Sequence, residues 1–215
     1  MDFLDFLSGN WPDVRDATVD HAVLVLEGLG LAVAVGLPLA VLVYRTSLPR
    51  AAVLGVAGVF LTIPSYALFG LLITPLGLGT GPSIVALTMY ALLPVIRNSV
   101  VGLREVDPAV VESARGMGMS RLKVLLGVEL PLAWPVIVTG LRVAAQLLLG
   151  IAAIAAAVNG PGLGNLILQG LDKAGTPFAI YLTIEGAAAI VVLAVLFDAA
   201  FALLKRLTTS RGLSA

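Results

Sequence analysis

Residues 112–123 read Glu-Ser-Ala-Arg-Gly-Met-Gly-Met-Ser-Arg-Leu-Lys, a compact, charged, glycine-punctuated phrase between long oily segments. Residues 127–135, Gly-Val-Glu-Leu-Pro-Leu-Ala-Trp-Pro, follow it closely. The fold turns on where this phrase sits relative to the oily segments, and composition decides the solvent first. The chain has 215 residues, 59% of them hydrophobic and 12% charged. A soluble domain carries about 25% charged residues, so these charges are too few to cover a surface facing water. The composition is that of a membrane protein. Formal net charge is zero and there is no basic tail, which excludes the usual footprint of nucleic-acid binding. Cysteine is absent, which removes disulfides, thiol catalysis and thiolate metal sites, and the single histidine, His21, cannot build a histidine-rich metal site.

Five apolar runs follow, at about residues 21–44, 51–74, 82–101, 132–158 and 181–204. Each approaches or exceeds the roughly 20 residues needed to cross the hydrocarbon as a helix, and none shows the alternation of a barrel strand. Residues 1–20 carry Asp2, Asp5, Asp13, Asp16 and Asp20 against Arg15, which argues against a sixth crossing and against a cleaved signal peptide. Phe3, Leu4, Phe6 and Leu7 suggest a short interfacial helix that Trp11-Pro12 would end. Arg45 and Arg50, then Arg104, Arg115, Arg121 and Lys123, then Lys205, Arg206 and Arg211 all fall on one side if there are five crossings. The positive-inside rule then places the N-terminus outside and the C-terminus, with a tail at 207–215, in the cytoplasm.

The phrase at 112–123 is therefore expected in the cytoplasm, within a loop at about 104–131. Asp107 is a cap candidate and Pro108 a first helical residue. Gly116 and Gly118 permit a break, and Ser120 can cap a second short helix through Leu126, with Pro131 and Pro135 opening the fourth crossing. The pattern predicts helix, turn, helix across the membrane surface, a knob for a cytoplasmic partner. The same charges also suit a plain solvated loop.

Here the residues resemble a known family. Glu112-Ser113-Ala114, three residues, Gly118, nine residues, Val128, one residue, then Leu130-Pro131 is similar to the cytoplasmic-loop phrase of permease subunits of binding-protein-dependent ABC importers. Ser113 stands where that phrase usually has alanine, and Gly116 is an additional glycine. Leu61-Thr62-Ile63-Pro64-Ser65, Trp134-Pro135, Gly140 and the turn from Asn159 to Gly164 resemble the osmoprotectant branch, and the likeness runs from about His21 to Arg206. The resemblance implies an all-α membrane protein of the type I importer fold in the plasma membrane. It implies partners: cytoplasmic ABC ATPase subunits, a second permease copy or paralogue, and an extracytoplasmic substrate-binding protein. It implies a small quaternary ammonium solute such as glycine betaine, choline, carnitine or proline betaine. Ala109, Glu112, Ser113, Ala114, Arg115, Gly118, Leu130 and Pro131 are the coupling residues so implied. The chain itself would hold no cofactor or metal and hydrolyse nothing. Gly160 to Gly164 lack the Lys-Ser/Thr ending of a phosphate loop.

Inside the crossings, Thr62, Pro64, Ser65 and Tyr66 place polar groups at a helix break, either lining a route or forming a packing kink. Asn159 and Gly160 open an outer segment in which residues 164–171 suit a short helix or a simple loop, and the resemblance implies a gate-like excursion there. Gly28, Gly30, Gly36 and the run 150–157 are close-packing candidates. Glu27, Arg97, Arg142, Gln146, Glu185 and Asp198 lie in or near crossings, where charges face a bundle interior or snorkel. Trp11, Trp134 and the four tyrosines form no visible cluster for a quaternary amine. Two other classes fit the composition: a secondary transporter working without ATP, and a non-transporting membrane scaffold. The first calls for mid-membrane ion-binding carboxylates and internal repeats, and neither is evident.

Overall fold

The computed structural model describes residues 2–209; Arg211 and most of the expected tail lie outside them. In chain order the helices are α1 (Phe3–Val43), α2 (Leu48–Thr62), α3 (Ser65–Leu76), α4 (Thr80–Arg104), α5 (Pro108–Gly116) and α6 (Arg121–Val124). A π-helical turn (Leu125–Glu129), α7 (Leu130–Ala152), a 3₁₀ turn (Ala153–Val158), α8 (Gly164–Asp172) and α9 (Ala179–Thr208) complete them. Four helical rods are long and apolar enough to cross a membrane, and α2 with α3 adds a fifth when taken as one bent span. The fold is all-α, as the oily runs require.

One local expectation needs correction here. Trp11-Pro12 does not end a short helix, because α1 runs unbroken through Pro12 and Pro38. Proline removes one backbone donor and crowds the carbonyl four residues back. Contacts on both sides of Pro12 carry the helix across it. Before it, Phe6 stacks on Phe178 at 5.6 Å and the amide of Asn10 donates to Glu185 at 2.7 Å. After it, Val14 is buried. Phe3, Phe6, Phe178 and Tyr181 form an aromatic cluster that the sequence order conceals, with rings packed against each other at the start of α9. The span at 51–74 breaks where Pro64 is expected to break it. It turns by 99° at Ile63-Pro64. The phenol of Tyr90 donates to the Ile63 carbonyl at 2.6 Å and so satisfies an acceptor left at the break.

α4 is the centre, packed by α1 on one side and α7 on another, with α2 and α3 against it as well. Glycines permit the approach. A β-carbon on Gly28 would lie 2.7 Å from that of Leu87, and one on Gly102 would lie 2.9 Å from the Ala133 carbonyl oxygen. One on Gly140 would lie 2.9 Å from Cγ of Asn98 and 3.0 Å from the Pro94 carbonyl oxygen. Gly36 faces Val95 and Ile96 in the same way, whereas Gly30 and Gly150 face open space and close no interface in this chain.

α9 attaches to α7 through polar groups. Trp134 donates to Thr208 at 2.7 Å, Lys205 to Thr139 at 3.1 Å, and Gln146 to the Ala194 carbonyl at 2.9 Å. Arg142 forms a two-pronged pair with Asp198, its Nη2 at 2.6 Å, so Arg142 pairs across helices. On the far side of α9, Val191, Val192, Val195 and Leu196 are each more than half exposed, an apolar surface suited to lipid or to another subunit.

Replacing Gly140 by valine should force α4 from α7 and cost about 1–3 kcal/mol, the range for overpacking a close contact. A lowered unfolding midpoint in detergent, with Gly150→Val close to the parent, would check this assignment.

Candidate coupling and gate sites

α4 stops at Arg104 and the chain reverses through Glu105, Val106 and Asp107 into α5. The Asp107 carboxylate accepts the Ala109 N–H at 2.8 Å, and Pro108 occupies the first turn, where no donor is required of it. α5 turns Ala114 inward, where it is buried, and leaves Ala109, Glu112, Ser113 and Arg115 exposed. The Ser113 hydroxyl donates back to the Ala109 carbonyl at 2.8 Å, so serine at this position is absorbed within the helix.

The end of α5 is closed by a paired backbone turn. Met119 N–H donates to the Ala114 carbonyl at 3.2 Å and Gly118 N–H to the Arg115 carbonyl at 2.9 Å. This arrangement needs a left-handed residue, and Gly118 supplies it with φ +82°. Gly116 stays within the helix, so the conformational demand falls on Gly118 alone.

Beyond it the second short helix is not a separate element. The Ser120 hydroxyl caps α6, accepting the Lys123 N–H at a long 3.4 Å. Then α6, the π turn, α7 and the 3₁₀ turn run on as one rod, Arg121–Val158. Pro131 therefore sits inside a rod. It cannot donate to the Gly127 carbonyl, and the wider π turn just before it accommodates the missing bond. Leu130 is half-buried against the core and Pro131 is exposed, both on the rod and off α5.

α5 stands between two clefts. One, of about 400 Å³, is lined by Gly102, Glu105, Asp107, Val110 and Leu132 among others. The other, about 200 Å³, brings Glu112 and Arg115 of α5 to Arg45 and Glu129. Glu129 is buried in the π turn and accepts three hydrogen bonds. Arg45 Nη2 reaches its two oxygens at 2.7 and 2.9 Å, and the Tyr44 hydroxyl reaches Oε2 at 2.9 Å. The Arg45 guanidinium lies 5.0 Å over the Tyr44 ring, and Arg50 donates to the Tyr44 carbonyl at 3.3 Å. The bond to Glu129 raises the pKa of Arg45 above its already high value, and burial, followed by the bond to Glu129, pushes the Tyr44 phenol up to about 12. Both stay donors at physiological pH. Sequence reasoning counted Arg45 only as an orienting charge and gave Tyr44 and Glu129 no role. The available signal was a lone carboxylate in the oily phrase at 127–135.

The gate candidates occupy two segments. Thr62 is exposed and its hydroxyl donates to the Val59 carbonyl at 2.7 Å. Pro64 and Tyr66 are exposed and Ser65 is half-buried. Asn159 adopts φ +57°, the left-handed region, at the end of the 3₁₀ turn, and is exposed. Gly160 is buried where a β-carbon would lie 2.5 Å from the Ser83 hydroxyl. α3 packs against the 3₁₀ turn, which draws the two segments toward the same part of the bundle. The segment at 164–171 is helical, as α8. Its approach is tied down by His21, which is buried: Nδ1 accepts the Leu163 N–H at 3.3 Å, so Nε2 is the donor to the Leu149 carbonyl at 3.0 Å. The sequence offered no sign of this use of the histidine.

Residues 32–210 match the family described as binding-protein-dependent transport system inner membrane component. The chain belongs to this family. It is 38% identical to the osmoprotectant import permease protein OsmW of Salmonella typhimurium, over 99% of this chain and 100% of that one. It is 34% identical to the choline transport system permease protein OpuBB of Bacillus subtilis, over 98% of this chain and 95% of that one. It is also 34% identical, with the same coverage, to the glycine betaine/carnitine/choline transport system permease protein OpuCB of the same organism. Among solved structures, the inward-facing MetNI methionine ABC transporter aligns with a TM-score of 0.81 at 24% identity, over 93% of this chain and 97% of that one. An amino acid ABC transporter with histidines aligns at 0.72 and 20% identity, over 96% of this chain and 98% of that one. The fold is therefore that of ABC importer permeases, and the chain is a multi-pass membrane permease subunit.

Loss of the α5 cap in Asp107→Ala should cost that helix about 1 kcal/mol. Faster amide hydrogen exchange at Ala109, Val110 and Val111, with little change in α4, is the expected readout.

Proposed function

We propose that this chain forms the translocation path of an ATP-driven importer for a small osmoprotectant of the quaternary ammonium class, such as glycine betaine, choline, carnitine or proline betaine. The observation that carries this reading is end-to-end similarity to permeases named for osmoprotectant, choline, and glycine betaine/carnitine/choline transport. The rigid, capped α5 between two clefts supports the coupling part of it. A partner ATPase binds and hydrolyses ATP; this chain catalyses nothing and needs no cofactor of its own. A second permease copy or paralogue completes the path, and an extracytoplasmic binding protein delivers the solute. The bias of basic residues orients the N-terminus outside and α5 in the cytoplasm.

Ala109, Glu112, Ser113, Arg115 and Gly118 form the outward surface and closing turn of the knob. Ala114 seats it, and Leu130 and Pro131 belong to the rod it moves. Closure of the ATPase on ATP displaces α5 and opens the path outward; hydrolysis resets it. Thr62, Pro64, Ser65, Tyr66, Asn159 and Gly160 flank the outer part of that path. The aromatic rings at the start of α1 and α9 are filled by one another and form no open cage, so high-affinity choice of solute falls to the binding protein.

Proteoliposomes holding this chain, its ATPase, any partner permease and the binding protein should take up glycine betaine or choline only with ATP. Glu112→Ala and Gly118→Asp should lower uptake by about tenfold with the complex assembled, within the range for residues that carry coupling. Uptake persisting without ATP would instead identify a secondary carrier. ATPase assembly with no uptake of any quaternary amine would retain the importer and discard this solute class.

A further inference from the structure

Glu129 is a full charge buried in a protein that carries few charges. Its side chain is 4% exposed, and the donors that reach it, Tyr44 and Arg45, come from the connection between α1 and α2. A buried ion pair is a poor means of stabilising a fold, because desolvation offsets much of the attraction and an apolar residue fills the space as well. Its value is in registering one element against another. The element registered here is the π-helical turn Leu125–Glu129, the one place where the rod Arg121–Val158 departs from regular α-helix before Ala153. A π turn is rare within an α-helix and is one of the few places where helices kink sharply. α5 packs directly against it. Glu112 and Arg115 open onto the same cleft as Arg45 and Glu129, and neither has a side-chain hydrogen bond or ion pair among the described residues.

From this geometry we infer that Tyr44, Arg45 and Glu129 form the joint through which displacement of α5 is passed to α1 and α7, with Arg45 and Glu129 as positioning residues. The inference rests on the importer function proposed above. A push on α5 meets the rod at its weakest turn. With Glu129 held by Arg45 and Tyr44, the turn cannot bend independently of the end of α1, and the rod and α1 move together. With the tether cut, the π turn absorbs the displacement and ATP is hydrolysed without moving solute.

The test is the number of solute molecules taken up per ATP hydrolysed, in proteoliposomes containing the whole transporter and binding protein. Glu129→Gln and Arg45→Met should lower that ratio by about tenfold while hydrolysis continues and the subunits stay assembled, within the range seen for residues that carry coupling. Tyr44→Phe removes one donor and leaves the ion pair, and should give a smaller fall in the same direction. The exchange Arg45→Glu with Glu129→Arg should recover part of the ratio. A ratio unchanged in all the variants overturns the joint. So does a parallel loss of uptake, hydrolysis and assembly that extends to Tyr44→Phe, which marks a purely structural role. If uptake by the parent transporter persists without ATP, the importer function proposed above fails first, and the joint with it.

Discussion

The close approach of α1 and α7 to the central α4 is the constraint on which the rest of the structure depends. In a membrane the lipid tails are as apolar as leucine, so burying leucine between helices gains little, and tight backbone packing has to supply the attraction. Gly28 and Gly36 bring α1 onto α4, and Gly102 and Gly140 bring α4 and α7 together. With those three helices placed, the bent α2–α3 pair falls against α4, where Tyr90 holds its break, and α9 is left to the outside of α7.

That outer position explains why polar groups join α9 to α7. α9 gives only part of its apolar surface to the core and leaves the rest exposed. Four polar links from Trp134–Thr208 to Gln146–Ala194 fix its register instead. The Arg142–Asp198 pair shows the same economy of charge: two ionisable groups inside crossings cancel each other, which each alone in lipid could not do. Near the start of the same rod, paired charge holds the surroundings of α5 in place. α5 is short, yet capped at both ends, and the buried Glu129 pins the adjoining turn to the end of α1.

Much of the knob was legible in the sequence. Asp107-Pro108 announces a helix start, and a glycine after Arg115-Gly116-Met117 announces the left-handed stop; both effects act within a few residues. The break at Pro64 was legible for the same reason. The continuity of α1 through Pro12 was not, because the groups that hold it, Phe178, Tyr181 and Glu185, arrive from the far end of the chain. The merging of α6 with α7 was also hidden. Pro131 looks like a boundary unless a π turn precedes it, and that turn is held by Tyr44 and Arg45. Gly30 and Gly150 looked like packing residues, but composition cannot say which side of a helix meets a neighbour.

The amino-acid sequence alone determined the solvent, the number of apolar runs, and the local form of the charged loop. These follow from hydropathy and from short-range backbone chemistry, which need no knowledge of distant residues. Only the tertiary structure decided which charges pair and which helix ends are tied. Arg45 meets Glu129 across 84 residues, Arg142 meets Asp198 across 56, and Asn10 meets Glu185 across 175. Such partners are chosen by how helices cross in space. That crossing is set by where small residues let two backbones touch, a property of pairs of surfaces and not of any one segment.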